Sequence, residues 1–454
     1  YWHLSGIQRD VTLYSKPRAH IRDLVVRTRF DAVYRDAELS VSAITNEPDD
    51  LADGYTVEIQ LYGPDGVALF TEPPRSTVST AAPMYRNDRD SYGRAHIAVP
   101  VTAPHKWTAE TPTLYTLVMI LKDPAGNDID FESTRVGFRQ IDISEGMLRL
   151  NGERLTVRGV NCHEHHPERG RALTADDMRA ELVAMKRLNF NAVRTSHYPH
   201  HSRFYDLCDE LGMYVVDEAN LETHGVGGRL SVDPQWAGAY VERAQRMALR
   251  DKNHACVITW SLGNESSNGP HHAAMAAWLR DYDPTRPVQY ESGFPGPAIS
   301  DIMVPMYPRL EWVQTILSDR SETRPLIMCE YAYSKGNALG NFYKFWELMA
   351  RLPRFQGGFI WDWRDKALVR HTATGAQWAY GNAFDGGVAP DGFRYGLTQN
   401  PQMCLNGVVH PDLTPKPGAW EVKKVQAPIA FSAADTESLL AGQVTVTNTY
   451  HALD

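Results

Sequence analysis

The sequence predicts a multidomain chain centred on a (β/α)8 barrel, with an immunoglobulin-like β-sandwich before it and truncated β domains at both ends. Three observations predict this. Residues 20–142 carry short alternating or β-branched runs separated by turn residues. From about residue 150, apolar strand-like runs alternate with segments whose apolar residues recur at helical spacing. The 454 residues are 43% hydrophobic and 22% charged, enough to build cores in about three domains of roughly 150 residues each.

Composition also excludes several classes. No apolar run approaches the roughly 18 residues of a membrane helix; the longest, Tyr115–Leu121, is strand-sized. Net charge is −9 and basic residues do not cluster, which argues against a nucleic-acid partner. The five cysteines (Cys162, Cys208, Cys256, Cys329, Cys404) form no C-x-x-C pair, so neither a zinc ribbon nor a disulfide framework is supported. A reduced, cytoplasmic protein is the expectation. The chain opens on Tyr1-Trp2-His3-Leu4 with neither an initiator methionine nor a signal peptide, and a fragment is expected.

In the sandwich, strands are expected at Leu24–Phe30, Leu39–Ile44, Tyr55–Leu61, Ala95–Val101 and Tyr115–Leu121, with turns at Pro64-Asp65-Gly66 and Pro124-Ala125-Gly126. The barrel is placed at residues 143–410. Its strands are expected at Leu155–Val160, Ala192–Thr195, Met213–Val216, Val257–Leu262, Val288–Tyr290, Ile302–Met306, Leu326–Cys329 and Gly358–Trp361. Helical spacing appears at Met178, Leu182 and Met185 behind the N-cap Thr174, then at Tyr240, Ala244 and Met247, at Met275, Trp278 and Leu279, and at Phe342, Phe345, Trp346 and Met349. A doubly wound open sheet is the alternative, but no G-x-G-x-x-G follows the first strand. Residues 411–426, with three prolines in Pro411-Asp412-Leu413-Thr414-Pro415-Lys416-Pro417, read as a linker. Residues 427–454 read as the start of a C-terminal β-sandwich domain, with a strand at Gln443–Asn448.

Polar residues just past barrel strand C-termini face the active site. Glu265 and Glu330 end strands 4 and 7, roughly opposite one another, so their carboxyls can converge. Retaining glycosidases need two carboxyls about 5–5.5 Å apart, one ionised to attack the anomeric carbon and one protonated to release the leaving group. A single glutamate at a strand end commonly caps a helix or pairs with arginine. Two of them, beside Trp361, Trp363, Tyr307 and Tyr198, point to a sugar site. Glu222 and His224 are two residues apart and can share a hard cation with a third carboxylate, or form a plain Glu–His pair. His163-x-His165 after strand 1 also fits a metal-dependent amidohydrolase. That rival needs histidines after strands 5 and 6, where the sequence has Glu291-Ser292 and Tyr307; Asp362 after strand 8 alone fits.

These motifs follow a recognisable order. Arg158-Gly159-Val160-Asn161, His163-Glu164-His165-His166, Asn191-Ala192-Val193-Arg194, Ser196-His197-Tyr198-Pro199 and Asp217–Gly225 come first. Trp260–Ser266, Arg286–Glu291, Cys329-Glu330-Tyr331-Ala332 and Gly357–Trp363 complete the series. In this the chain resembles glycoside hydrolase family 2, and within it the large multidomain bacterial β-galactosidases. The resemblance implies that residues 1–19 end an N-terminal sugar-binding jelly roll. It implies Glu265 as acid/base and Glu330 as nucleophile, with Glu222, His224 and Glu265 holding Mg2+. It places Asn264 on the sugar 2-hydroxyl, Tyr307 on the nucleophile, His163 and His197 on sugar or transition state, and Trp361 as the sugar platform. Asn406 and the Met403 backbone match a Na+ site. Tyr333 stands where the family usually has a sugar-contacting histidine, and Met403 where it has phenylalanine. The jelly roll's aspartate, which contacts galactose and sodium in the family, is not in the sequence.

The expected activity is retaining hydrolysis of terminal β-D-galactosides, lactose-like, by a homo-oligomer in the full-length protein. The alternatives are another family 2 β-glycosidase, acting on a glucuronide or a modified galactoside, or an inactive truncated sugar-binding fragment.

Overall fold

Alternating burial folds the segment after residue 19 into two facing antiparallel sheets. The computed structural model describes residues 2, 4, 6–46, 54–80, 93–380 and 404–453. The strands are β1 (His20–Phe30), β2 (Ala37–Asn46), β3 (Thr56–Tyr62), β4 (Arg75–Thr77), β5 (Ser79–Thr80), β6 (Gly93–Val101), β7 (Tyr115–Lys122) and β8 (Asp128–Val136). They form sheets of order β1-β2-β6-β5 and β4-β3-β7-β8. Inward residues of both sheets, such as Leu39, Val41, Ile59, Leu61, Leu117 and Met119, share one core. Each such side chain contributes about 1.5–3 kcal/mol on burial. β8 is not legible in the sequence because it is an edge strand. It buries the acidic Asp130 and exposes the apolar Phe131, which inverts the usual apolar-in, polar-out alternation.

A small antiparallel sheet, β9 (Ile141–Ser144), β10 (Met147–Leu150) and β11 (Glu153–Arg154), closes the bottom of the second domain. It is fastened there by the Gln356 amide, which donates to the carbonyls of Leu148 (2.8 Å) and Leu155 (2.6 Å).

Above it the parallel strands are β12 (Val157–Asn161), β13 (Ala192–Arg194), β14 (Tyr214–Glu218), β15 (Val257–Ser261), β16 (Val288–Gln289), β17 (Leu326–Tyr331) and β18 (Phe355–Ile360). Every residue in them is buried, as expected of a sheet covered on both faces. The strand expected at Ile302–Met306 is an extended segment rather than a full ladder strand. It closes the barrel through the single bridges Gln289–Ile302, Met303–Leu326 and Met306–Glu330.

The helices that follow are α1 (Ala175–Arg187), α2 (Ser202–Leu211), α3 (Ala237–Asp251), α4 (Pro270–Tyr282), α5 (Leu310–Ser318), α6 (Tyr343–Arg351) and α7 (Pro417–Val425). Thr174 does cap α1, in a reciprocal box with Asp177. No helix lies between β16 and residue 302. A hairpin, β19 (Leu368–Thr372) and β20 (Gly375–Ala379), follows β18.

The linker expectation also changes. Residues 411–426 are not a linker: α7 occupies most of that span, and its Ala419 and Val422 are fully buried in the barrel core. The prolines mark a helix start, with Pro417 in the first turn, where its missing N–H costs nothing. The described residues between 1 and 19 contain no strand. They cross the C-terminal face of the barrel instead, held by Trp2 Nε1 donating to the Lys366 carbonyl (2.6 Å) and by an Arg9–Glu164 ion pair (2.7 Å). The strand near the far end forms at Thr445–Asn448, paired antiparallel with Ile429–Ser432. No helix among the described residues is long and apolar enough to cross a membrane.

Candidate active site

At the barrel's C-terminal rim a cleft of about 1480 Å³ is lined by His163, His197, Tyr198, Glu222 and Trp361 among the candidate residues. A second recess of about 460 Å³ is lined by Glu265, Glu291 and Tyr307.

Glu330 lies within β17 and is buried, with both oxygens held. Arg194 Nη1 donates to Oε1 (2.9 Å) and the Tyr307 hydroxyl to Oε2 (2.6 Å). The register helps, because Tyr307 N–H also donates to the Glu330 carbonyl (2.7 Å).

Glu265 follows β15 through Gly263, whose φ of +131° and close approach to the Leu221 carbonyl exclude any side chain. Glu265 itself has φ 36° and Tyr307 φ 45°. Such left-handed conformations are costly in non-glycine residues and persist where surrounding contacts impose them. Burial pushes the Glu265 carboxyl above its ordinary value, and the neighbouring Glu330 pushes it further. The two carboxyls therefore share one electrostatic environment, with one end biased towards the protonated form.

The remaining wall is a network. Asn264 accepts from Arg194 Nη2 (2.8 Å) and donates to Glu222 Oε1 (3.1 Å). His197 Nδ1 lies 2.8 Å from Glu218 Oε1, and its ring stacks on Trp361 at 5.2 Å and 13°. His163 meets both rings edge-on, and burial drives its pKa well down, so it is neutral. Tyr333 packs against Tyr307 with ring centroids 5.7 Å apart, and its hydroxyl accepts from Asn406 Nδ2 (3.1 Å). His165 turns away to the Ala367 carbonyl (2.8 Å), so His163-x-His165 does not present two ligands to one ion.

Three partners are not assigned by the sequence. Arg194, with no side-chain exposure, pairs with Glu218 (2.7 Å) as well as Glu330. Burial pushes Glu218 up, but Arg194 and His197 outweigh it and hold it below the ordinary carboxylate value. Both residues end apolar strands, the same signal that marks Glu265 and Glu330.

Glu291, after β16, accepts the Glu265 backbone N–H (2.5 Å). Burial raises its carboxyl from 4.5 to about 8. It is thus protonated when folded and ionised when unfolded at neutral pH. Because the folded value lies above the unfolded one, its contribution is full below the unfolded pKa and is lost as pH climbs through the folded pKa. In thermal melts between about pH 5 and 8, Glu291→Gln is expected to lose less Tm with rising pH than the parent. Parallel curves would mean that Glu291 is ionised in the native state.

The donors for a divalent cation are of suitable chemistry. Glu222 and His224 are exposed, His224 Nε2 lies 3.9 Å from Glu265 Oε2, and Glu222 adds to the upward pressure on Glu265. Carboxylate oxygens open to water suit magnesium, which keeps part of its hydration shell. The three are not drawn into a finished shell. Among the described residues, the cluster with donor atoms within 4.8 Å of one another is Asp209, His254 and Cys256.

The sodium ligands fit less well. Met403 lies outside the described residues, and the Asn406 amide oxygen accepts from the Lys366 ammonium (3.0 Å).

A model of the glycosyl hydrolases family 2 TIM barrel domain matches residues 141–431, and a glycosyl hydrolases family 2 model matches residues 19–139. The chain belongs to glycosyl hydrolase family 2.

A β-galactosidase of Photobacterium profundum is 45% identical over 99% of this chain and 43% of its own length. One from Pseudoalteromonas haloplanktis is 44% identical over 95% of the chain and 41% of its own length. The chain thus spans less than half the length of these curated relatives.

Among solved structures, a Bifidobacterium dentium β-glucuronidase complexed with coumarin-3-O-glucuronide matches with TM-score 0.69 and 21% identity, over 91% of this chain and 67% of that one. A Bacteroides uniformis β-glucuronidase 2 gives TM-score 0.70 at 17% identity, over 93% and 53%. These establish a shared fold and no more.

Proposed function

We propose that the protein is a retaining β-galactosidase that hydrolyses terminal β-D-galactosides through a covalent glycosyl-enzyme. The observation that carries the reaction is that Tyr307, which donates to Glu330, also lines the recess that holds Glu265. Glu330 is clamped by Arg194 and Tyr307, while burial and Glu330 raise Glu265 towards its protonated form. Opposed environments of this kind assign acid and nucleophile. The galactose preference rests on identity of 44–45% to β-galactosidases over nearly the whole chain.

The steps follow from these groups. Glu330 attacks the anomeric carbon as Glu265 gives its proton to the departing oxygen. Glu265, then ionised, takes a proton from water, which attacks the same carbon and restores Glu330. Arg194 holds Glu330 in line. The Tyr307 hydroxyl, which donates to Glu330 Oε2, loses its charged acceptor as the carboxylate bonds the sugar and regains it as the ester breaks. Asn264 is placed for the 2-hydroxyl, His163 and His197 for other hydroxyls, and Trp361 for the apolar face of the ring. Glu222, His224 and Glu265 would hold a magnesium ion, supplying positive charge beside the acid/base.

The remaining expectations stand as proposals on the resemblance. These are an immunoglobulin-like plan for the sandwich, further β domains adjoining residues 1–19 and 427–454, and a homo-oligomeric full-length enzyme. A cytoplasmic location is supported by five buried cysteines, none in a disulfide.

The test compares aryl β-galactoside, β-glucuronide and β-mannoside. The galactoside is expected to exceed the others in kcat/KM by about 100-fold or more, the scale reached when a site's polar groups match one set of hydroxyls. A 2-fluoro galactoside should label Glu330. A glucuronide preference, or a label elsewhere, would reject the assignment.

A further inference from the structure

We infer that the ammonium of Lys366 replaces a bound monovalent cation beside the glycone subsite, making Lys366 a positioning residue for Asn406 and Tyr333. The inference rests on the galactosidase reading for its kinetic effect, but its geometry is independent of it.

Asn406 Oδ1, the oxygen that the family resemblance assigns to sodium, accepts from Lys366 Nζ at 3.0 Å. Lys366 Nζ is also paired with Asp362 Oδ2. Lys366, Asp362 and Asn406 are each 1% exposed. A second cation there would meet a buried like charge already in contact with its ligand, with little water to screen the repulsion. A covalently attached charge needs no ion from solution and is ordered by the fold.

Its placement is fixed at the backbone. Lys366 N–H donates to the Cys404 carbonyl (2.7 Å) and Asp362 N–H to the Asn406 carbonyl (2.8 Å). The segments carrying Lys366 and Asn406 are thus laced together.

The consequence runs outward. With Oδ1 facing the ammonium, the Asn406 amide must turn its Nδ2 outward, where it donates to the Tyr333 hydroxyl (3.1 Å). Tyr333 packs on Tyr307, which donates to Glu330. The ammonium also lies 5.9 Å from the centre of the Trp361 ring. One buried cation therefore orients the tyrosine that stands where the family has a histidine, and supports the proposed sugar platform.

Removing the charge should recreate the site it fills. Lys366→Met keeps most of the volume but leaves the Asp362 carboxylate and the Asn406 oxygen facing one another, an oxygen set for a monovalent cation. Asp362 Oδ1 already has no hydrogen-bond partner among the described residues.

The experiment measures aryl β-galactoside kinetics and 23Na NMR linewidth in NaCl against choline chloride at equal ionic strength. The parent is expected to keep KM and kcat in choline and to show no saturable 23Na broadening. Lys366→Met should raise KM about tenfold in choline with a smaller change in kcat, recover with added sodium, and broaden the 23Na line saturably. Lys366→Arg should remain indifferent to sodium.

Saturable sodium binding by the parent would overturn the inference, and so would a folded Lys366→Met protein indifferent to sodium. The parent's 23Na measurement needs no variant to fold and no substrate to be turned over. A failure of the galactosidase reading would leave it unaffected.

Discussion

Glu330→Gln is expected to lower kcat on an aryl β-galactoside by about 10⁴-fold or more, with little change in Tm. The two halves of this expectation have separate causes. A glutamine oxygen can still accept from Arg194, which now reaches Oε1 at 2.9 Å. The Tyr307 hydroxyl, now a donor to Oε2, can rotate to accept from the new NH2. The buried hydrogen bonds are therefore kept, and no charged group gains or loses volume. What is lost is a carboxylate able to form an ester with the anomeric carbon. Steady-state kinetics beside a thermal melt separate the two. An active variant would remove Glu330 as nucleophile, and a large fall in Tm would show that the ionised form is needed to hold Arg194 in place.

The reason Glu330 can be found in the sequence applies unevenly elsewhere. A charged residue ending an apolar run is conspicuous, and Glu265 and Glu330 both stand out that way. Arg194 and Glu218 carry the same signature at the ends of β13 and β14. It does not single them out, because an arginine inside a parallel strand has no chemical role until its partners are known. Those partners, Asn161, Glu218, Asn264 and Glu330, come from four other places in the chain. Sequence spacing carries no information about such convergence.

The barrel is legible because its strands are mostly apolar and buried on both faces. Where burial is partial, the pattern thins. The helix α5 fully buries Val313 alone among its nine residues, so its apolar positions Leu310, Val313, Ile316 and Leu317 span too few turns to stand out. The proline-rich approach to α7 resembles a linker because proline marks a helix start and a loop alike. Lys366 is silent for a further reason: a single lysine in a polar loop reads as solvated, and only the fold buries it against Asp362 and Asn406.

Arg194→Met should cost about 3–5 kcal/mol of stability, or on the order of 10 °C in Tm. The guanidinium has no exposure and reaches four residues at 3.0 Å or closer: Glu218 through Nε (2.7 Å), Glu330 and Asn161 through Nη1 (2.9 and 3.0 Å), and Asn264 through Nη2 (2.8 Å). Burial disfavours its charge, yet Glu218 and Glu330 more than restore it and hold its pKa well above the ordinary value. Removing one cation thus strands two buried carboxylates. Lysine cannot substitute, because one ammonium lacks the planar fork that spans these acceptors.

Stability and catalysis can then be pulled apart by a second change. In Arg194→Met/Glu218→Met one stranded charge is gone and the volume is apolar, so part of the lost stability should return, as it does when a buried pair is replaced whole. Activity should not return, because Glu330 is still held by Tyr307 alone and Asn264 has lost its donor. Recovery of both in the double variant would mean that Arg194 serves only to neutralise Glu218. Recovery of Tm without kcat is the outcome required if the same guanidinium also aims the nucleophile.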